Sequence, residues 1–144
     1  MHAIKTYLPP LGRLLMSSLF IWSGVGKLMN PAGTVKYFIG VHVPIPEVAV
    51  WVVIVIEVVG GLAILVGLKT RWAAAVLAVF TLITAFGVHY VAAMGIKVHD
   101  TATYMAHFEQ MINFYKNLVI TGGFLYIVAF GAGDISIDGP DRAT

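Results

Sequence analysis

The stretch Val48 to Leu68 reads VAVWVVIVIEVVGGLAILVGL and carries a single ionisable residue, Glu57. At 1.5 Å per residue, about 21 apolar residues make about 32 Å of helix, enough to cross a bilayer's hydrocarbon core. Two further runs of this kind are Leu8 to Met29 and Ala73 to Met94, and a fourth covers Asn113 to Gly131. The fourth has a shorter wholly apolar stretch, Leu118 to Phe130, but its helical pattern runs back to about Thr103. There Tyr104, Phe108, Met111 and Tyr115 share one face, and Gln110, Asn113, Asn117 and Thr121 share another. The pattern predicts an all-α fold: a single membrane domain over 1–144, built as a four-transmembrane-helix antiparallel bundle, with a polar tail over 132–144.

Composition agrees with that expectation. Of 144 residues, 59% are hydrophobic and 11% charged, with a mean hydropathy of +0.89, whereas soluble domains carry about 25% charged residues. The net charge of +2 is spread along the chain without Lys/Arg clusters, so no nucleic-acid footprint is expected. There is no cysteine, which excludes disulfides, thiolate metal sites, iron–sulfur clusters and CxxC chemistry within this chain. Redox activity would need a bound cofactor or a partner. Met1 to Pro10 lacks a short apolar region with a small-residue cleavage site, so the first apolar run reads as a retained helix.

The connection Asn30 to Glu47 holds Gly40, Pro44 and Pro46, and its end reads as an extended turn. The connection Lys69 to Trp72 is short enough to make the second and third spans an antiparallel hairpin. Four spans put both termini on one side. Lys5, Arg13, Lys69, Arg71 and Arg142 then face Lys27, Lys36, Lys97 and Lys116 across the membrane, and the Lys69/Arg71 pair favours cytoplasmic termini in a bacterial inner membrane.

Glu57 lies about one residue from its span's centre, where a carboxylate is costly and must face protein. Gly60 and Gly61 lie within about 60° of it and allow close helix approach. Glu57 is thus a candidate proton-accepting or ligand-binding group; the alternative is a buried ion pair, for which Arg13 is the expected partner. Arg13 shares its helix face with Met16, Phe20, Ser23, Gly24 and Lys27. Lys27 is a candidate contact to an anionic or carbonyl group, although a lysine near a span's end more often snorkels to the interface. His89 sits on a face with Ala74, Ala78, Thr81 and Ala85, a small-residue packing side that should turn it inward. By helical rise His89 and Asn117 lie about 8 Å to the same side of the membrane centre, so they could meet in one pocket, hydrogen-bonding a quinone and relaying a proton. The alternative is a histidine satisfied by a backbone carbonyl or an asparagine.

His42, His99 and His107 fall on the same side with Glu47, Asp100 and Glu109, but HFEQ matches neither HExxH nor ExxH, and no metal site is expected. Trp22, Trp51 and Trp72 lie near span ends as interface anchors do, and Trp22 joins the candidate ligand contacts.

The motifs LGRLLMSSLFIWSGVGKLMNPAGTVKYF, GVHVPIP, EVVGGLAILVGLKTR and QMINFYKNLVITGGFLYIVAFGAGDISID resemble, in that order, the DoxX family of small four-helix membrane proteins. The resemblance covers about Leu11 to Asp138. It implies a membrane bundle and a link to respiratory, sulfur or redox-defence chemistry, one branch being the membrane subunit of thiosulfate:quinone oxidoreductase. The matching positions are Lys27, Glu57, Thr70, Arg71, Lys116 and Asn117, with the glycine pairs Gly60/Gly61 and Gly122/Gly123. Together the residues and the resemblance give three expectations. The first is a quinone-interacting or auxiliary subunit of an oxidoreductase, with Glu57 and His89 as the catalytic pair, no covalent cofactor, a bound quinone, and electrons supplied by a soluble or membrane redox partner. The second is a non-catalytic anchor or assembly factor recruiting soluble enzymes. The third is a small transporter or proton pathway. Homo-oligomers are compatible with each.

Overall fold

The computed structural model describes residues 2–139. Met1 and residues 140–144, including the Arg142 counted in the charge balance, lie outside the described residues. The order is α1 (His2–Met29), α2 (Pro31–Gly40), α3 (Pro46–Val66), α4 (Thr70–Thr84), a π-helical turn (Ala85–Tyr90), α5 (Val91–Gly95) and α6 (Thr101–Phe130). No strand occurs among the described residues.

Three helical rods are long and apolar enough to cross a membrane: α3, the continuous rod Thr70–Gly95, and α6. Helix α1 has 28 residues, ample for a crossing, but Arg13, Ser17, Ser18, Ser23 and Lys27 dilute its apolar character. Its buried face holds Arg13, Ser17 and Phe20, and it packs along α3.

The helices form two close antiparallel pairs, α1 with α3 and α4 with α6, joined mainly where α3 meets α4. Small residues set the α1–α3 register. A Cβ on Gly24 would lie 2.7 Å from Val58 Cγ2 and 3.0 Å from Glu57 Cβ, and one on Gly61 would lie 2.9 Å from Ile21 Cγ1. Gly60 faces Leu77 across the α3–α4 contact. Ala74, Ala78, Thr81 and Ala85 are all buried, the α4 stripe packing inward. At the termini end the two pairs meet in a core of Phe20, Ile64, Ala74, Leu77, Ala78 and Phe124, with Phe20 and Phe124 ring centroids 5.3 Å apart. Toward the other end, a cavity lies between the pairs.

Several details depart from the sequence expectations. The Asn30–Glu47 connection contains helix α2, started by the Asn30 side chain accepting from Gly33 N–H, with Pro31 in the first turn. The turn after it is tight, with His42 and Ile45 at φ 60° and 48°. Helix α6 is one rod from Thr101, because Asp100 and Thr103 form a capping box. The polar tail does not hang free over 131–139. Ile137 N–H donates to the Val66 carbonyl and Asp138 N–H to that of Gly67. The Asp138 carboxylate accepts from Lys69 N–H, Thr70 N–H and the Thr70 hydroxyl, each at 2.7 Å, filling the orphan-donor positions at the start of α4. Gly67, at φ +73°, makes the α3–α4 turn, and a Cβ there would overlap the Arg13 guanidinium.

Candidate functional site

The cavity measures about 600 Å³, within the range of about 300–1,000 Å³ common for small-molecule pockets. Its walls are largely apolar, from Leu19 and Phe20 on α1, Phe38 on α2, Val48, Val52, Val53 and Ile56 on α3, and Phe80, Ile83 and Val88 on the Thr70–Gly95 rod, the third long rod along the chain. Val52 and Ile83 are themselves 51% and 63% exposed, so the cavity opens sideways onto the apolar exterior. Against these walls stand Ser23, Lys27, Glu57, Thr81, Thr84, His89, Asn113, Lys116 and Asn117, with Tyr37 at the side.

The centre of this polar set is the ion pair between Lys27 and Glu57, with Nζ 2.8 Å from Oε2 and 3.0 Å from Oε1. Lys27 Nζ also donates to Ser23 Oγ at 2.6 Å, and Ser23 Oγ donates to Glu57 Oε1 at 3.3 Å. Both side chains are largely withdrawn from the surface, at 22% and 7% exposure. A buried carboxylate needs a partner and satisfied lone pairs to stay ionised, and the Lys27–Ser23 couple supplies both.

The partner is therefore Lys27, not Arg13, and Lys27 does not snorkel away from the bundle. The reason is register: with Gly24 seated on Glu57 and Val58, Lys27 lies one turn from the carboxylate, while Arg13 lies opposite Gly67. There Arg13 is 4% exposed, and its Nη2 donates to the Ile135 carbonyl of the returning tail. Its Nε and Nη1 find no hydrogen-bond partner among the described residues, and the Asp138 charge lies close by.

His89 reaches the cavity from the π-helical turn. Its Nδ1 lies 2.9 Å from Gln110 Oε1, so neither a backbone carbonyl nor Asn117 satisfies it. Asn117 lines the same cavity, and its Nδ2 donates to Thr84 Oγ1 at 3.1 Å. Lys116 Nζ donates to Asn113 Oδ1 at 2.7 Å. Lys27, Glu57, His89 and Asn117, drawn from all four long rods of the bundle, are thus brought to one cavity. Tyr37 on α2 borders it, and burial, followed by the charge of Glu109, pushes its phenol above the ordinary tyrosine value. It remains a neutral hydroxyl at physiological pH.

The other candidates lie elsewhere. Trp22 is 76% exposed and lines a shallow groove with Leu14, Ser18 and Val25. Arg71 donates to the Val128 and Ala129 carbonyls at the end of α6. Gly123 faces Met16, whereas a Cβ on Gly122 would meet nothing within 4 Å. No cluster of three or more metal-ligating side chains occurs among the described residues; His107 Nδ1 lies 3.0 Å from the Ala93 carbonyl and His99 Nδ1 2.9 Å from that of Lys97. Sequence reasoning gave Gln110, Thr84 and Tyr37 no role at the site. Gln110 had a visible signal, since it shares the polar face of α6 with Asn113 and Asn117.

Comparison with known proteins points the same way as the resemblance. The DoxX family model matches residues 8–90, from α1 through the π-helical turn. An inner membrane protein of Escherichia coli K12, YqjF, is 41% identical over 126 residues, covering 88% of this chain and 85% of the relative. A second from the same organism, YphA, is 34% identical over 137 residues, covering 94% and 91%. No solved structure matches the chain.

Proposed function

The chain belongs to the DoxX family of integral membrane proteins, and on that premise we propose that it is a quinone-interacting subunit of an inner-membrane oxidoreductase system. In this reading all four long rods cross the bilayer. Helix α1 crosses with Arg13 covered by the tail and Lys27 neutralised by Glu57, so neither charge faces lipid. The Lys69/Arg71 end, toward which the start of α1 and the tail over 131–139 lie, is cytoplasmic in this reading; reporter fusions at the two ends of the chain would read that side directly. The inner-membrane location follows the names of the two relatives.

One observation carries the functional part: ionisable and amide side chains from α1, α3, the third rod and α6 converge on an apolar cavity that opens toward lipid. A ligand suited to it is an amphiphile with a small polar headgroup and an apolar tail, and a quinone has that form. Such a ligand carries two electrons and two protons between proteins. Within the chain, His89 and Asn117 would hold the headgroup, and Glu57, with Lys27 and Ser23, would hold a proton-exchanging charge at the end of the site. Electrons would come from a partner protein. Native mass spectrometry of the protein released gently from its own membranes should find a quinone-mass adduct. Filling the cavity by Ala49→Phe should remove that adduct. An untouched protein with no adduct, or an adduct indifferent to Ala49→Phe, would refute the assignment.

A further inference from the structure

We propose that the cavity selects a hydroxyl-bearing aromatic headgroup, the hydroquinone form in preference to the quinone, because the second ring nitrogen of His89 stands open as an acceptor that a ligand hydroxyl can meet and a quinone carbonyl cannot. The inference rests on the ligand class proposed above and adds which member of the redox pair is bound. Lys27 directs its three donors at Glu57 Oε1, Glu57 Oε2 and Ser23 Oγ, and Ser23 gives its hydrogen to Glu57. Thr81 donates to the Leu77 carbonyl, and Thr84 to the Thr81 carbonyl. Asn117 uses one amide hydrogen on Thr84.

On the other side stands His89. Gln110 Oε1 can only accept, so the hydrogen of the neutral imidazole sits on Nδ1 and the Nε2 lone pair is left open. His89 belongs to the cavity lining, and no group among the described residues donates to its Nε2 or to Asn117 Oδ1. The remaining donors, the second amide hydrogen of Asn117, the amide of Asn113, Lys116 and Tyr37, can serve a quinone carbonyl and a hydroquinone oxygen alike, so they do not discriminate between the two. A carbonyl oxygen placed against Nε2 would oppose one lone pair to another, whereas a ligand O–H completes a hydrogen bond.

The test compares three probes of one shape on the full chain in lipid nanodiscs without oxygen. They are a decyl-substituted benzoquinone, its two-electron-reduced hydroquinone, and the dimethyl ether of that hydroquinone. The hydroquinone should bind about tenfold more tightly than either of the others, as expected for one hydrogen bond made or lost. His89→Phe should bring the three affinities within about threefold of one another. Equal binding in the unaltered protein, or tighter binding of the quinone, overturns the inference and leaves the quinone-class reading standing. Binding of none of the three overturns both. A preference that survives His89→Phe, in a variant shown to be folded by its circular dichroism, overturns the role given to His89. The comparison in the unaltered protein decides the preference even if that variant does not fold.

Discussion

At the scale of single residues, the Lys27–Glu57 pair ties α1 to α3 through charge as well as packing. Removing one member leaves the other buried and uncompensated, at a cost of about 3–5 kcal/mol, whereas replacing both with apolar residues of similar size is close to neutral. Lys27→Met should therefore destabilise strongly, and Lys27→Met with Glu57→Leu should restore most of the loss. Thermal unfolding of the four members of the cycle in one detergent measures the coupling; a Lys27→Met protein as stable as the parent would show that the pair is not ionised. Glu57 was legible in the sequence because a lone acid in the middle of an apolar run has to face protein, away from lipid. Its partner was not, because two cations lie on one face of α1 and only the contacts of Gly24 and Gly61 with α3 fix which of them reaches Glu57.

At the scale of elements, two glycines that look alike in a hydropathy plot are not alike in the structure. A methyl group at Gly24 would lie 3.2 Å from Val58 N as well as against its side chain, and a backbone cannot swing aside. Gly24→Ala should cost about 1–3 kcal/mol by forcing α1 from α3. Gly122→Ala, which meets open space, should be neutral or add up to about 1 kcal/mol of helix propensity. Melting temperatures of the two variants, measured side by side, test the contrast, and equal effects would contradict the packing. The presence of the long rods was readable from their apolar runs. Helix α2 carried a readable signal as well, Asn30 followed by Pro31, although the glycine and prolines beyond it read as a turn. The π-helical turn had no such signal, and without it the His89–Gln110 contact could not be placed.

At the scale of the whole molecule, the two ends are built differently. The termini end is closed by an aromatic and aliphatic core and by the tail returning over the α3–α4 turn, while the opposite half holds the cavity. Asp138 is the tail's main attachment. Partial burial pushes its carboxyl up, but hydrogen bonds from Thr70 N–H, the Thr70 hydroxyl and Lys69 N–H, with the Arg13 charge, outweigh that and hold it below the ordinary aspartate value. A carboxyl lowered in the folded state binds its proton more readily when unfolded. Its contribution is therefore complete above the unfolded value of about 3.9 and disappears as pH falls through the lower folded value. Asp138→Asn should cost about 1 kcal/mol at pH 7. The difference from the parent should shrink below pH of about 4 in parallel melts; a gap unchanged between pH 7 and pH 3 would show that the charge does not matter. In the sequence the stretch after the last apolar run reads only as a polar tail, because its partners are backbone N–H groups about 70 positions earlier.

The widened turn at Ala85–Tyr90 has a consequence for numbering. Such a turn holds one surplus residue relative to an α-helix, so α4 before it and α5 after it run out of phase by about 100°. Dropping a single residue from the turn would splice the two segments into one uninterrupted helix and leave Ala93 and its neighbours on their present side. Related chains that differ here by one residue can thus share every packed face above and below the splice while pointing a different side chain, or none, into the cavity.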